Sequence, residues 1–324
     1  MAKNRGILGA TMTGVLGQVN KKKLDSTEEI SLHGRTCLVT GAGSGLGKAT
    51  AIALAARGAH VVMGVRRMDE ECRKEIASHA ESDEMVVMEF VDLASLESVN
   101  EFAVSINQKG IVFDVVVLNA AVVTKSASTT ADNLDEMTQV NFISNVAFVE
   151  ALLKNGSFRE PVDNMPPRIV IISSEAHRWT ESIDIDSIGT PKNFGLKGSL
   201  PNYSDTKFMM AAYFSNLANR FKTSGEAAVT AICPGAINSN LARQAPGWIQ
   251  PLLKVVFKLF FATPKKAAEP VINLCVRADI KEKNGSYFHL WKEKPVDPRA
   301  GDPGFYEPLF KKTTEIIEEK AKLR

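Results

Sequence analysis

Cysteine is scarce in this chain, and no two cysteines lie close together. The 324 residues contain four, without a C-x-x-C pair: Cys37, Cys72, Cys233 and Cys275. This spacing argues against a disulfide framework and a structural zinc site, and it favours a reducing compartment. We therefore predict no metal site.

The chain also lacks an excess of charge of either sign. Lysine and arginine total 39 against 37 aspartate and glutamate residues, a formal net charge of +2 at pH 7. Proteins that bind nucleic acid usually carry a stronger basic excess or a basic patch. We therefore expect no nucleic-acid partner.

Long apolar runs are missing as well. No stretch reaches the roughly 20 apolar residues that a membrane-spanning helix needs. Residues 6–19 come nearest, but four glycines, two threonines and one glutamine make a poor signal-peptide core. Two interpretations of this segment stay open: part of a loosely ordered arm over residues 1–31, or a membrane-surface or targeting role. We expect a cytoplasmic protein, with association with a membrane surface as the alternative.

What the chain does contain is a regular alternation of short β-branched runs and helical stretches. Its 44% hydrophobic and 23% charged residues are ordinary for a globular protein. Runs that are apolar on both faces are typical of parallel strands covered by helices on each side. Residues 32–324 are therefore predicted to form a single α/β domain, a doubly wound Rossmann-type parallel sheet flanked by helices.

The pattern places the elements in chain order. Strands are expected at 36–40, 60–65, 85–90, 113–118, 168–172 and 227–232, with a last edge strand at 285–290. Helices are expected at 46–57, 95–108, 133–153, 203–221 and 315–322. Two insertions interrupt the pattern, a polar loop at 175–201 and an apolar segment at 245–264.

A glycine-rich turn lies between the first predicted strand and the first predicted helix. It reads Thr-Gly-Ala-Gly-Ser-Gly-Leu-Gly over residues 40–47. Glycines let the backbone turn sharply and let a pyrophosphate reach main-chain N–H groups at the helix N-terminus. The strand–turn–helix context favours a dinucleotide site with these cofactor-binding residues: Gly41, Ser44, Gly45, Leu46 and Gly47.

Two arginines follow the second predicted strand. Arg66 and Arg67 stand where NAD-preferring sites carry an acidic residue for the ribose 2′-hydroxyl, and the first carboxylate comes only at Asp69. A guanidinium can bind a 2′-phosphate through charge-assisted hydrogen bonds. The sequence favours NADP(H), with NAD(H) as the alternative, although both arginines could also be simply solvated.

A tyrosine and a lysine four residues apart open the predicted helix at 203–221. The spacing of Tyr203 and Lys207 puts both side chains on one helical face. A nearby ammonium favours the phenolate and would lower the tyrosine pKa towards neutrality, which suits a general acid/base. Alone, the pair is a common coincidence, and the same helix could simply present a surface lysine.

Combined with the glycine turn, this pair resembles the pattern of the short-chain dehydrogenase/reductase superfamily, and the resemblance covers residues 32–290. The family pattern implies further cofactor contacts at two strand ends: Asp92 and Leu93 at the adenine, Asn119 and Ala120 beside the sheet. Leu118 and Ala121 depart from the Asn-Asn-Ala-Gly that the family carries there.

The resemblance implies the remaining site residues as well. Asn141 matches the asparagine of a water-linked proton relay, and Ser174 matches the hydroxyl that polarises the substrate, with Ser173 as its competitor. The loop that closes over the nicotinamide corresponds to residues after the sixth strand: Pro234, Gly235, Ile237 and Ser239.

These roles imply reversible hydride transfer between NADP(H) and an alcohol or carbonyl carbon. Tyr203 would exchange the proton of the substrate oxygen, Ser174 would hold that oxygen, and Lys207 would bind the nicotinamide ribose. Two alternatives stay open, namely reduction of a carbon–carbon double bond and a non-catalytic nucleotide-binding scaffold.

The long insertion before Tyr203 and the run Ser-Ser-Glu-Ala-His at 173–177 resemble the retinol-dehydrogenase-like branch of the superfamily. The resemblance implies a small lipophilic alcohol or carbonyl substrate of retinoid, steroid or long-chain type. The apolar segment at 248–262 has three candidate roles: a substrate lid, a peripheral membrane contact or a homodimer contact. His177 is expected to be a polar residue of the site wall.

Overall fold

The computed structural model describes residues 30–161, 166–235 and 262–322. Some of the sequence predictions fall outside these ranges: residues 1–29 of the expected arm, Ile237 and Ser239 of the expected cofactor loop, and residues 236–261, which contain most of the apolar insertion. The glycine turn and the four predicted catalytic residues all lie within them.

An eight-stranded sheet forms the centre of the described structure. Its strands are β1 Thr36–Thr40, β2 His60–Val65, β3 Val86–Phe90, β4 Val115–Leu118, β5 Arg168–Ile172, β6 Ala228–Cys233, β7 Tyr287–His289 and β8 Lys292–Lys294. They lie in the order β3-β2-β1-β4-β5-β6-β7-β8, and all neighbours are parallel except β7 and β8. The predicted doubly wound Rossmann-type sheet is confirmed, with an antiparallel edge strand added.

Helices cover both faces of this sheet. They are α1 Gly45–Ala55, α2 Glu70–Ala77, α3 Leu96–Gln108, α4 Ser144–Lys154, α5 Leu196–Ser224, α6 Pro264–Val276 and α7 Pro303–Lys322. Successive strand residues point to opposite faces. Leu38 therefore packs in the layer of α3, α4, α5 and α7, whereas Cys37 and Val39 pack in the layer of α1, α2 and α6. Both layers are apolar, which explains why the buried strands are apolar on both faces.

The order of the strands reverses between β1 and β4. After β3 the chain returns to the other side of β1, so the connections that leave β1 and β4 diverge to opposite faces of the sheet. A crevice opens at such a switch point, outside the carboxyl ends of the strands, and ligands of open α/β sheets bind there. The glycine turn and the end of β4 both lie at this edge.

The predicted polar insertion at 175–201 is partly wrong. It contains two short 3₁₀ turns, Glu175–Trp179 and Ile185–Ser187, and its last six residues already belong to α5. Helix α5 thus begins at Leu196, seven residues before Tyr203, and includes Pro201. Glycine and proline have poor helix propensity, so the sequence pattern does not predict a helix start at Leu196. Packing against the rest of the fold overrides this local propensity.

The helix predicted at 133–153 is interrupted. Asn133 has a left-handed backbone with φ of 56°, and helical structure starts only with the single turn Glu136–Thr138. A π-helical turn, Gln139–Ile143, then precedes α4. The sequence pattern of a continuous helix does not reveal the extra residue that a π turn inserts.

The C-terminal part differs most from the prediction. Helix α6 was not predicted, and α7 begins at Pro303 rather than at 315. The strand expected at 285–290 exists as β7 but is not the edge, because the charged strand β8 pairs beside it. Charged residues are typical of edge strands, where they discourage further pairing. Within the described ranges, no helix is long and apolar enough to cross a membrane.

Candidate active site

The turn after β1 can be built only with glycine at its critical positions. Gly41 and Gly45 have positive φ angles of 68° and 55°, a region that side chains disfavour. A Cβ atom at Gly47 would lie 2.3 Å from the Gly41 carbonyl oxygen. The Ser44 side chain does not cap α1, and the first turn of α1 carries no acidic residue. Main-chain N–H groups therefore face the turn unpaired by any cap, as an anion site requires.

Asn119 ties this turn to the end of β4. Its Nδ2 donates to the Thr40 carbonyl oxygen at 2.9 Å, and its main-chain N–H donates to Thr40 Oγ1 at 2.9 Å. The Ala120 N–H donates to the same hydroxyl at 3.1 Å. Thr40 is buried. The structuring role of Thr40 is not predicted by the sequence, because its partners lie nearly 80 residues away in the chain.

The ends of β2 and β3 carry the residues expected at the adenosine. Arg66 and Arg67 are exposed, and no carboxylate in the described part of the chain forms an ion pair with either. The nearby Asp69 carboxylate caps α2 by accepting the Cys72 N–H at 3.0 Å. Asp92 closes a tight turn, its Oδ1 accepting the Ala94 N–H at 3.0 Å. Leu93, beside it, is buried in the core.

Asn141 lies in the π-helical turn, and its side-chain amide makes three hydrogen bonds. Its Oδ1 accepts the Val122 N–H at 2.7 Å, and its Nδ2 donates to the Val122 carbonyl at 2.8 Å and to Thr206 Oγ1 at 3.2 Å. Thr206 stands on α5, one position before Lys207. The π turn therefore holds Asn141 against the helix of the Tyr-Lys pair, and such turns are frequent at functional sites.

Tyr203, Lys207 and Ser174 meet beside the end of β5. The Ser174 hydroxyl lies close enough to Tyr203 to lower the pKa of its phenol. Lys207 Nζ donates to the Ile172 carbonyl oxygen at 3.0 Å and lies 5.7 Å from the centroid of the Tyr203 ring. The competing Ser173 hydroxyl is buried and finds no partner in the described part of the chain. Ser174 is therefore the strand-end serine that reaches the tyrosine.

Burial sets the protonation of the tyrosine and the lysine. It raises the pKa of Tyr203 to about 12 and lowers the pKa of Lys207 to about 8, because each charged form loses hydration. The Cys233 thiol adds to the raised pKa of Tyr203, and the nearby Ser174 hydroxyl opposes it. The expected lowering of the Tyr203 pKa by Lys207 is thus wrong for this structure, since desolvation dominates.

Cys233 and the two residues after it lie at the same carboxyl-terminal edge of the sheet, where β6 ends. The Cys233 thiol is buried at the end of β6, close enough to influence the pKa of both Tyr203 and Lys207. Gly235 has a φ of 80°, and a Cβ atom there would lie 2.8 Å from Leu290 Cδ2. Pro234 thus leads into a turn that needs glycine. No motif marks Cys233 beyond its place before Pro234.

A family model described as short chain dehydrogenase matches residues 35–182. Retinol dehydrogenase 14 of Mus musculus is 30% identical over 315 residues, which cover 93% of this chain and 90% of that relative. The chain belongs to the short-chain dehydrogenase/reductase family. Dehydrogenase/reductase SDR family member 13 of Homo sapiens is 32% identical over 275 residues, 84% of this chain and 70% of that protein. This short-chain dehydrogenase/reductase is an oxidoreductase of the retinol-dehydrogenase-like branch.

Solved structures agree on the fold. The crystal structure of a 3-oxoacyl-[acyl-carrier protein] reductase from Brucella melitensis in complex with NAD superimposes with a TM-score of 0.61. It is 22% identical and covers 79% of this chain and 95% of that one. The single α/β domain of this short-chain dehydrogenase/reductase is thus shared with a nucleotide-bound reductase.

Proposed function

We propose that this protein transfers a hydride reversibly between NADP(H) and a small lipophilic alcohol or carbonyl compound, with Tyr203 as general acid/base. The observation that carries the proposal is the convergence of Tyr203, Ser174 and Lys207 beside the edge that holds the glycine turn. Short-chain dehydrogenases/reductases use NAD(P)(H), and the preference for NADP(H) is the finer step proposed here.

The residues of the turn fit a dinucleotide. The crowding at Gly47 and the positive φ of Gly41 bring main-chain N–H groups to the surface of the turn with no side chain in the way. Arg66 and Arg67 would hold a 2′-phosphate, and Asn119 would support the strand end beneath the cofactor. When bound, the nicotinamide ring supplies or accepts the hydride.

The side chains beside the end of β5 would each have a role in proton transfer or binding. Ser174 would hold the substrate oxygen by a hydrogen bond, and Tyr203 would give or take the proton of that oxygen. Lys207, charged below about pH 8, would favour the transient phenolate and bind the ribose. Asn141, through the Val122 carbonyl that it positions, would connect the site to solvent protons.

The exposed apolar side chains of helix α5 favour a lipophilic substrate. Leu196, Leu200, Tyr203 and Lys207 are spaced at i, i+4, i+7 and i+11, which places them along one side of the helix. Leu196 is 73% exposed and Leu200 is 42% exposed, whereas Lys207 is buried. An exposed apolar row therefore leads along the helix to the catalytic pair. Apolar side chains beside a few polar groups are the usual lining of small-molecule sites.

The proposal is tested with a panel of retinoid, steroid and long-chain alcohols, aldehydes and ketones. Turnover is followed by nicotinamide absorbance with NADPH, NADP⁺, NADH and NAD⁺, and the products are identified. An alcohol–carbonyl pair formed at the expense of NADP(H) is expected. Saturation of a carbon–carbon double bond instead, or cofactor binding without turnover of any substrate in the panel, would contradict it.

A further inference from the structure

His177 lies at the centre of a buried polar cluster next to Ser174, and the proposed mechanism does not use it. It belongs to the 3₁₀ turn Glu175–Trp179, which begins directly after Ser174. Its side chain is fully buried, in a residue with 0% exposure. A buried imidazole needs hydrogen-bond partners for both ring nitrogens, and their identity fixes its tautomer.

Both nitrogens of the ring have main-chain partners. Nδ1 lies 2.6 Å from the Ser174 carbonyl oxygen, which can only accept, so Nδ1 carries the proton. The His177 main-chain N–H donates to the same oxygen at 3.1 Å. Nε2 accepts the Asp297 N–H at 3.3 Å. Burial lowers the pKa of His177, so the ring stays in the neutral form that these two bonds require.

The ring is itself held in place by the C-terminal strands. Tyr287 on β7 packs edge-on against His177, with ring centroids 5.1 Å apart. The Tyr287 hydroxyl donates to Glu175 Oε1 at 2.6 Å, and Lys294 Nζ on β8 donates to Glu175 Oε2 at 3.2 Å. The turn that follows Ser174 is therefore fixed from β7 and β8 together.

The partner segment also contacts the catalytic helix. The Asp297 carboxylate accepts from Arg299 Nη2 at 2.8 Å, and the Arg299 guanidinium lies 4.9 Å from the ring centroid of Phe208. Phe208 follows Lys207 directly on α5. One segment around residues 297–299 thus touches both the turn of Ser174 and the helix of Tyr203 and Lys207.

We propose that His177 is a positioning residue for Ser174: its Nδ1–H fixes the Ser174 carbonyl, and its Nε2 ties that turn to Asp297. This inference rests on the proposed function of Ser174. With the carbonyl held by two donors, the Ser174 peptide is restrained, and the Ser174 side chain keeps its place beside Tyr203. The role needs donation at Nδ1 and no proton transfer, so His177 does not touch the substrate.

The test compares His177→Asn with His177→Gln in the full-length protein. An asparagine amide can donate from near the position of Nδ1, whereas a glutamine amide reaches the position of Nε2 and leaves the Ser174 carbonyl without a side-chain donor. Misplacement by about 1 Å can cost about 10²-fold in rate. We expect His177→Gln to lower kcat by about 10- to 100-fold, and His177→Asn to stay within about fivefold of wild type. The Kd for NADPH should change less than about twofold in both variants.

A double-mutant cycle with Ser174→Ala shows whether His177 acts through Ser174. In the Ser174→Ala background, His177→Gln should lower kcat by no more than about twofold, since the hydroxyl to be positioned is gone. Tyr213→Phe is the matched control, because Tyr213 lies on α5 like Tyr203 and the change removes its part-buried hydrogen bond of 2.7 Å to Glu150 on α4. Its kcat should equal that of the wild type even if its thermal stability falls.

Several outcomes would overturn the inference. Equal kcat values for His177→Asn and His177→Gln would do so, as would an undiminished effect of His177→Gln in the Ser174→Ala background. A failure of the proposed function is recognised separately, because Tyr203→Phe and Ser174→Ala would then retain wild-type turnover. If both of those variants lose turnover and the His177 variants do not, only the positioning role fails.

Discussion

At the scale of single residues, the proposed mechanism depends on the charge of Lys207. Its pKa of about 8 lies below the ordinary lysine value because of burial. In the proposed mechanism, carbonyl reduction needs the Tyr203 phenol protonated, which its raised pKa favours, and the Lys207 ammonium charged. As the pH rises through about 8, Lys207 loses its proton while Tyr203 keeps its own.

The pH profile of kcat/KM reports ionisations of the free enzyme, so it tests this assignment. We predict that kcat/KM for carbonyl reduction is flat below pH 7.5 and falls about tenfold per pH unit above about pH 8. Rates are measured from pH 6 to 10 at constant ionic strength. A profile that stays flat to pH 10 would show that the ammonium is not required.

At the same scale, the proposed preference for NADP(H) depends on Arg66 and Arg67. Hydrogen bonds to charged groups contribute about 1.5–3 kcal/mol each, and about 1.4 kcal/mol corresponds to tenfold in Kd. Replacing both arginines with alanine should weaken NADPH binding by about 10- to 100-fold and NADH binding by less than about twofold. Lys74→Ala, which removes an exposed cation from α2, is the control for general electrostatics. Equal losses for the two cofactors would contradict the 2′-phosphate role.

At the scale of elements, the turn between β1 and α1 depends on one glycine more than on its neighbours. A Cβ at Gly47 would meet the Gly41 carbonyl oxygen at 2.3 Å and Asn119 Nδ2 at 2.5 Å. Gly47→Ala should therefore distort the turn, lower stability by about 1–3 kcal/mol and weaken dinucleotide binding at least about tenfold. Thermal unfolding and cofactor titration measure both effects.

Gly43→Ala in the same turn provides the matched control. The nearest atom to its added Cβ is Val65 Cγ1 at 3.8 Å, an ordinary contact, and its φ is not positive. This variant should bind the cofactor within about twofold of wild type. If the two alanine variants bind the dinucleotide equally well, then crowding at Gly47 does not shape the site.

The elements also show what the sequence could and could not predict. Strands β1, β2 and β5 were predicted correctly because buried parallel strands are short, β-branched and apolar on both faces. The start of α5 was missed because Gly195, Gly198 and Pro201 argue locally against a helix, while tertiary packing decides the outcome. The three charged residues of β8 become a strand only because β7 lies beside them.

The same division applies to the site. Tyr203, Lys207 and the glycine turn carry local spacings, so a motif can reveal them. The contacts of His177 with Asp297 and of Asn141 with Thr206 join residues 120 and 65 positions apart. No local pattern predicts such pairs. The raised pKa of Tyr203 was missed for the same reason, since burial is a property of the folded chain.

At the scale of the whole molecule, the two halves of the sheet contribute different parts of one site. Strands β1 to β4 bear the glycine turn and Asn119, which are assigned to the dinucleotide. Strands β5 to β8 and helix α5 bear Ser174, Tyr203 and Lys207, which are assigned to the substrate and its proton, with Lys207 also assigned to the nicotinamide ribose. The halves meet across β4 and β5, so cofactor binding and proton transfer should be separable by mutation.

Replacement of Tyr203 by phenylalanine tests most directly whether a phenol exchanges the substrate proton above a bound dinucleotide. The change removes one hydroxyl and keeps the ring. Turnover of the best substrate and the Kd for NADPH are measured on the same preparation. We predict that kcat falls by about 10²- to 10⁴-fold while the Kd stays within about twofold of wild type. Wild-type turnover in this variant would contradict the assignment of Tyr203.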